Sequence, residues 1–182
     1  GNEIVSINYD KIIADGYYEK ETKSYNAGFI IGQKTDEGYR YGYINSEGKQ
    51  IIETKYNDLY RILEIDSEDI YIICADNGKY GLIKNEELII ANAYQSLAYS
   101  ESSNTITALK GKKHGVISIE GDIIVPFEYK QIDIIGKNIY ATEDDGNIKI
   151  FDSKGKQIKM SSNLSIIDIE DTNYKIYIDT AN

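Results

Sequence analysis

The sequence predicts an all-β fold: tandem antiparallel β-hairpin and meander repeats in an open, curved array, with a β-propeller-like ring as the alternative. Three observations carry that prediction. One phrase recurs: Tyr41-Gly42-Tyr43-Ile44, a turn through Gly48, then Gln50-Ile51-Ile52. It returns as Tyr80-Gly81-Leu82-Ile83 with Leu88-Ile89-Ile90, and again as His114-Gly115-Val116-Ile117 with Ile123-Ile124. The marker glycines Gly42, Gly81 and Gly115 stand 39 and 34 residues apart, and the next register point, Lys149, follows after another 34. Recurrence at such a period is the signature of stacked supersecondary units. Finally, 17 Tyr against 3 Phe and no Trp suit a pleated, half-buried surface, and no stretch keeps a helical period over about 11 positions.

In chain order, residues 1–40 read as an N-terminal partial repeat or cap, entered midway. Glu3 to Ile12 matches Gln50 to Leu59; an exposed loop (19–26), a strand from Gly28 to Gln33 and the turn Thr35-Asp36-Glu37-Gly38 follow. Full repeats are expected at 41–79, 80–113 and 114–147, and a degenerate one at 148–182, all within a single repeat domain, 1–182. In each, a marker strand reaches a hairpin tip (Gly48, Glu87, Gly121, Gly155) whose residues tolerate positive φ, and an apolar return strand follows. Corners begin at Tyr9, Tyr56, Tyr94 and Tyr129, and the strands Ile70 to Ala75, Thr105 to Leu109 and Asn138 to Thr142 lead through turns into the next marker. Pro126 is expected to end its return strand, where a missing N–H does no harm. Two strand-like runs, Ser165 to Ile169 and Tyr174 to Ile178, close the chain.

These residues resemble the WG-repeat family, whose unit pairs a Trp-Gly strand with a glycine-turn hairpin, an apolar return strand and a Tyr-Asp corner. The matching positions are Tyr41-Gly42, Tyr80-Gly81 and His114-Gly115, the tips at Gly48, Gly121 and Gly155, and the four Tyr corners. The departure is the aromatic: Tyr, Tyr, His and Ile stand where the family has Trp. The resemblance implies a β-rich interaction scaffold of a kind common in bacterial proteins, rather than a catalyst.

A glycine without a Cβ lets a neighbouring strand or ring pack on the backbone, and the aromatic before it covers the gap. Tyr41, Tyr80 and His114 are therefore expected at equivalent, partly buried sites between units. No unit covers its own apolar face, so each must stack on the next, and the exposed strand edges at the array ends make self-association a further expectation.

Charge narrows the partners. The chain carries 20 Lys and Arg against 30 Asp and Glu, a net −10, which repels phosphate backbones and anionic lipid. Neither a nucleic-acid partner nor a membrane span is expected, since no run approaches the ~18 apolar residues a bilayer requires. One His and one Cys rule out His-cluster and thiolate metal sites, so no metal or cofactor is expected. Cys74 reads as a buried thiol and His114 as a packing substitute for Tyr. The acidic turns 66–69, 143–147 and 170–173 lack the spaced ligand pattern of a calcium loop and read as solvated hairpins. No nucleophile elbow or phosphate loop is present.

The expected function is a non-enzymatic scaffold binding a protein or peptide partner. The alternative is a carbohydrate- or cell-envelope-binding module using exposed Tyr, with Tyr17, Tyr18, Tyr25, Tyr39, Tyr60, Tyr71 and Tyr99 as candidates. An acid-pair hydrolase is the third reading. Because the chain opens on Gly1, the compartment stays open: secreted or envelope-associated if a leader was removed, otherwise cytoplasmic.

Overall fold

The computed structural model describes residues 8–19, 24–62, 69–158, 164–168 and 175–179, with side chains placed for 8–16, 28–62 and 69–158. Within these, every regular element is a strand. Sheet 1 runs β1 (Lys11–Glu19), β2 (Ser24–Thr35), β3 (Gly38–Ile44), β4 (Gln50–Tyr56); sheet 2 runs β5 (Asp58–Arg61), β6 (Tyr71–Asp76), β7 (Lys79–Lys84), β8 (Glu87–Tyr94). Sheet 3 runs β9 (Ser96–Ser100), β10 (Thr105–Lys110), β11 (Lys113–Ser118), β12 (Ile123–Tyr129), and sheet 4 runs β13 (Gln131–Ile135), β14 (Asn138–Thr142), β15 (Ile148–Asp152), β16 (Gln157–Ile158). A two-stranded sheet, β17 (Leu164–Asp168) with β18 (Lys175–Asp179), follows. Each four-stranded sheet is an antiparallel meander in sequence order, and none closes into a barrel.

The repeated phrase is out of step with the sheets. Each marker strand is the third strand of its sheet, so a phrase counted from marker to marker starts in one sheet and ends in the next. The segment from Lys11 to Thr35 supplies the first two strands of a complete sheet 1. The expected loop 19–26 is shorter than predicted: β2 already starts at Ser24, paired with Glu19. Each corner passes directly into a strand, β5, β9 or β13, that the chemistry of the corner had hidden.

The sheets are held by three cores, each shared between sheets consecutive in the chain. Tyr43, Ile52 and Tyr56 of sheet 1 meet Leu59, Ile72, Cys74 and Ile83 of sheet 2. Sheet 2 turns Tyr71, Ile73, Leu82 and Ile90 the other way, against Leu97, Ile106, Ala108 and Ile117 of sheet 3. Sheet 3 offers Val116, Val125 and Tyr129 to Ile132, Ile139, Ala141 and Phe151 of sheet 4. The alternation along β6 explains why Tyr71 to Ala75 are all buried: odd and even positions face different neighbours, as in any strand covered on both faces. Among the described residues no such core joins sheet 4 to sheet 1. A fully buried Ile contributes about 1.5–3 kcal/mol, so these layers dominate the cohesion of the stack.

Candidate functional site

The site is best approached through the device that recurs in sheets 1, 2 and 3. On β3, Tyr41 pairs with Tyr56 and Tyr43 with Ile52, so two steps on the marker strand face four on the return strand. The same irregularity sets Tyr80 against Tyr94 and Leu82 against Ile90, then His114 against Tyr129 and Val116 against Val125. The surplus residues bulge over the marker glycine. A Cβ on Gly42 would lie 2.6 Å from the Ile52 carbonyl oxygen, and one on Gly81 would lie 2.5 Å from that of Ile90. At Gly115 the obstacles are the Phe127 ring and the Val125 carbonyl oxygen, each 2.9 Å away.

Pro126 lies inside this bulge, not at the end of its strand: β12 continues to Tyr129. A proline is tolerated there because the ladder is already interrupted and the residue is exposed on an edge strand.

Tyr41, Tyr80 and His114 are all half-buried, each opposite a corner Tyr. The His114 ring donates from Nδ1 to the Lys130 carbonyl oxygen at 2.9 Å, which fixes its tautomer and ties the marker to the corner behind it. At three of the four corners the residue after the Tyr caps the central turn of the following sheet. The side chains of Asp10, Asn57 and Gln95 accept the backbone N–H of Lys34, Asn77 and Gly111 at 2.7, 2.8 and 3.0 Å.

Three of the four tips share one construction. In the first, the N–H groups of Glu47 and Lys49 donate to Asn45 Oδ1 at 3.1 and 2.9 Å. Those of Glu120 and Asp122 donate to Ser118 Oγ, and those of Lys154 and Lys156 to Asp152 Oδ1. The fourth tip residue is Gly48, Gly121 or Gly155, at φ +85°, +95° and +79°, the left-handed position of a three-residue hairpin loop. Two of these glycines also touch the preceding sheet. Gly121 lies against the Ile90 side chain and, less closely, the carbonyl of Ile89, and Gly155 lies against the carbonyl of Ile124 with no room for a Cβ. Ile89 and Ile124 hold the same register position on their return strands, and Ile51 holds it on β4.

Sheet 2 breaks the pattern. Its tip was expected at Glu87, but Glu87 pairs with Lys84, and the loop is only Asn85 and Glu86, with Asn85 at φ +54°. Four residues separate the pair Ile83 and Leu88, where five separate Ile44 from Gln50 and Ile117 from Ile123. The tip is one residue short and carries no glycine, because Asn accepts positive φ in its place.

Opposite this short tip lies a groove of about 490 Å³, lined by Gln50, Ile51, Ile52, Glu53, Lys55 and Tyr56 of β4 with Ile83, Glu86 and Leu88 of sheet 2. Its floor is apolar, and Leu88 is 42 % exposed. Its charged rim is already paired. Lys55 Nζ holds Glu53 at 3.0 Å, and Lys49, beside the groove, pairs with Glu86 across the two sheets. The Glu53 carboxylate raises the Lys55 pKa, and burial raises that of Tyr56.

The family model for the WG containing repeat matches residues 41–80, one full run from marker to marker. Residues 41–80 are thus similar to a WG-repeat unit. No curated protein matches the chain. The WG match starts at Tyr41 and ends on Tyr80, so it spans β4, most of β3, and the first two strands of sheet 2.

The other residues singled out from the sequence are scattered. Tyr71 is in the sheet 2/3 core, and Tyr99 packs at its margin with its hydroxyl donating to Asn104 Oδ1 at 2.9 Å. Tyr39 is half-buried, with Lys11 Nζ 3.9 Å above its ring centroid. Tyr60 is 39 % exposed, and the side chains of Tyr17, Tyr18 and Tyr25 lie outside the described residues. Tyr39, Tyr60, Tyr71 and Tyr99 do not line up as one row of open Tyr faces.

Cys74 is fully buried in the sheet 1/2 core, where burial pushes its thiol pKa up and Asn92 lies against it. It and His114 belong to different layers of the stack. In the acidic turn 143–147, Glu143 pairs with Lys149 at 2.7 Å, Asp144 with Lys113 at 2.6 Å, and Asp145 accepts from Asn147. Most of the turn 66–69 and all of 170–173 lie outside the described residues. Among the described residues no group of three or more His, Cys, Asp or Glu is placed to hold a metal, and no helix is long and apolar enough to cross a membrane.

The groove residues were not singled out by sequence reasoning. The signal was present: Lys84-Asn85-Glu86-Glu87 is one residue shorter than the other three tips and lacks their glycine.

Proposed function

We propose that this chain is a non-catalytic binding scaffold that receives a protein or peptide partner in the groove between sheets 1 and 2. The observation that carries the reading is the groove itself, an apolar floor with an ion-paired rim on a stack whose inner sheet faces are otherwise consumed. Sheets 2 and 3 give both faces to their neighbours, so edges and tips are what they can offer a partner. The groove joins Ile51, Ile52, Tyr56, Ile83 and Leu88 into one concavity, and its volume falls in the usual range for ligand clefts. The same reading takes residues 1–182 as one repeat domain and assigns a packing role to Tyr41, Gly42, Tyr80, Gly81, His114 and Gly115.

Each charged side chain lining the groove has an ion-pair partner, which suits a rim that orients a ligand rather than one that moves protons. The test is a selection from a displayed peptide library against the wild-type chain and Leu88→Asp. Leu88 is exposed enough for the variant to fold, and selected peptides should lose at least ten-fold in affinity. A chain that selects no peptide but binds a glycan saturably, and loses it on Tyr60→Ala or Tyr39→Ala, would overturn the reading.

A further inference from the structure

The stack itself shows what fits such a groove. At the sheet 2/3 junction, the register position held by Ile51 in sheet 1 is Ile89, and the tip of the next sheet is seated there through Gly121. At the sheet 3/4 junction the position is Ile124, and the seated residue is Gly155. Both are glycines at positive φ in a three-residue loop; Gly155 approaches the Ile124 carbonyl too closely for any side chain, and Gly121 sits in tight contact with the Ile90 side chain. At the sheet 1/2 junction, the tip that should reach Ile51 is one residue short, and the groove opens beside it, walled by Ile51 on one side and Glu86 and Leu88 on the other.

We propose that the groove is a vacated tip socket, and that the partner element it recognises is a hairpin turn of the form Asx or Ser, two residues, Gly, rather than an extended strand. This rests on the preceding docking reading and names its ligand class. The glycine is required for the left-handed backbone seen in both occupied sockets and for the close approach to a carbonyl seen at Gly155. Charge adds a preference. The chain is net −10, so a turn bearing lysines, as Asp152-Ser153-Lys154-Gly155-Lys156 does, associates faster and more tightly than an acidic one.

The probe is a peptide with the sequence of residues 150–158, closed into a hairpin by a terminal disulfide, followed by methyl NMR of Ile51, Ile83 and Leu88 in the full chain. Saturable shifts are expected at these three methyl groups. Affinity should fall at least ten-fold for the peptide carrying Gly155→Val. It should fall as far for a protein variant with one Gly inserted between Glu86 and Glu87, which lengthens the tip to fill its own socket. Because the insertion restores the length of the other tips, its melting temperature should hold or rise; Leu88→Asp serves as the second variant should the insertion not fold. Binding of a linear Ile/Lys peptide at the same methyls without binding of the hairpin would overturn this inference and leave the docking reading standing. Failure of both peptides would overturn both, and equal hairpin affinity for the insertion variant would overturn the socket.

Discussion

The sheet 1/2 and sheet 2/3 junctions are built to one register and finished differently. In both, a marker glycine lies under a bulged return strand and a corner Tyr faces the marker aromatic. The layer between sheets 2 and 3 is filled mainly by aliphatic side chains, including Ile73, Leu82, Ile106 and Ile117, and closed by a seated tip glycine. Between sheets 1 and 2, the slot that holds Leu82 in sheet 2 holds Tyr43. Its ring lies against the backbone of Gly28 and its hydroxyl reaches Asp15 and Arg61. That junction also has the short tip and the groove. The bulge is under tight steric control and does not vary, whereas the tip lies outside the core and tolerates loss of a residue. Variation in such an array therefore surfaces at the tips, where it changes what can bind without disturbing what folds.

The largest way to break the common part is at the marker glycine. Gly81→Ala places a methyl 2.5 Å from the Ile90 carbonyl oxygen and 3.0 Å from the Asn92 nitrogen, both backbone atoms of a strand locked at each end of its bulge. A loss of about 3 kcal/mol in urea unfolding is expected, at the upper end for overpacking. Gly115→Ala should cost less than Gly81→Ala, because the Phe127 ring beside it can turn aside. Equal and small losses at both positions would mean that the bulge is soft, and the contrast drawn between core and tip would fail.

The second prediction separates the two junctions by pH. Burial, then the neighbouring Asp15 carboxylate, raises the Tyr43 pKa well above its ordinary 10.0. The folded chain thus holds the neutral phenol while the unfolded chain ionises it. Stability from this group is complete below pH 10 and falls as pH rises towards the folded pKa, by about 1.4 kcal/mol per pH unit. Burial raises Tyr60 to about 12 and also raises Tyr56 and Cys74, so the wild-type decline is steeper than one group produces. Tyr43→Phe should remove one group's share of the slope between pH 10 and 11, measured by urea unfolding at each pH. An unchanged slope would show that the hydroxyl is not held neutral by the junction.

Much of the fold was legible because its determinants are local and repeated. The markers, the tip glycines and the corner Tyr each impose a backbone geometry that one residue type satisfies, so they announce themselves at a fixed spacing. The strands β5 and β9 were not legible: a corner residue such as Asn57 reads as a turn, yet its N–H already donates to Ala75 in the next sheet at 2.7 Å. Pro126 misled for a related reason, since a proline stops a regular ladder but not a bulged one. The groove was illegible from any single repeat. It is made by an absence, one residue missing from 84–87, and that absence has meaning only beside Gly121 and Gly155 seated in their own sockets.

The smallest effects are expected where the two kinds of junction look most alike on the surface. Lys49 and Glu86 pair across the open junction, and Lys113 and Asp144 across the closed one between sheets 3 and 4. Both pairs are largely solvated, so Lys49→Gln and Lys113→Gln should each shift stability by no more than about 1 kcal/mol, and less at high salt. If the buried layers hold the stack, the two substitutions are interchangeable despite the difference in the sockets beneath them. A markedly larger loss at Lys49, reduced by salt, would mean that the ion pair holds sheet 2 on sheet 1 in place of the missing tip glycine, and the groove would then be a gap the protein must brace.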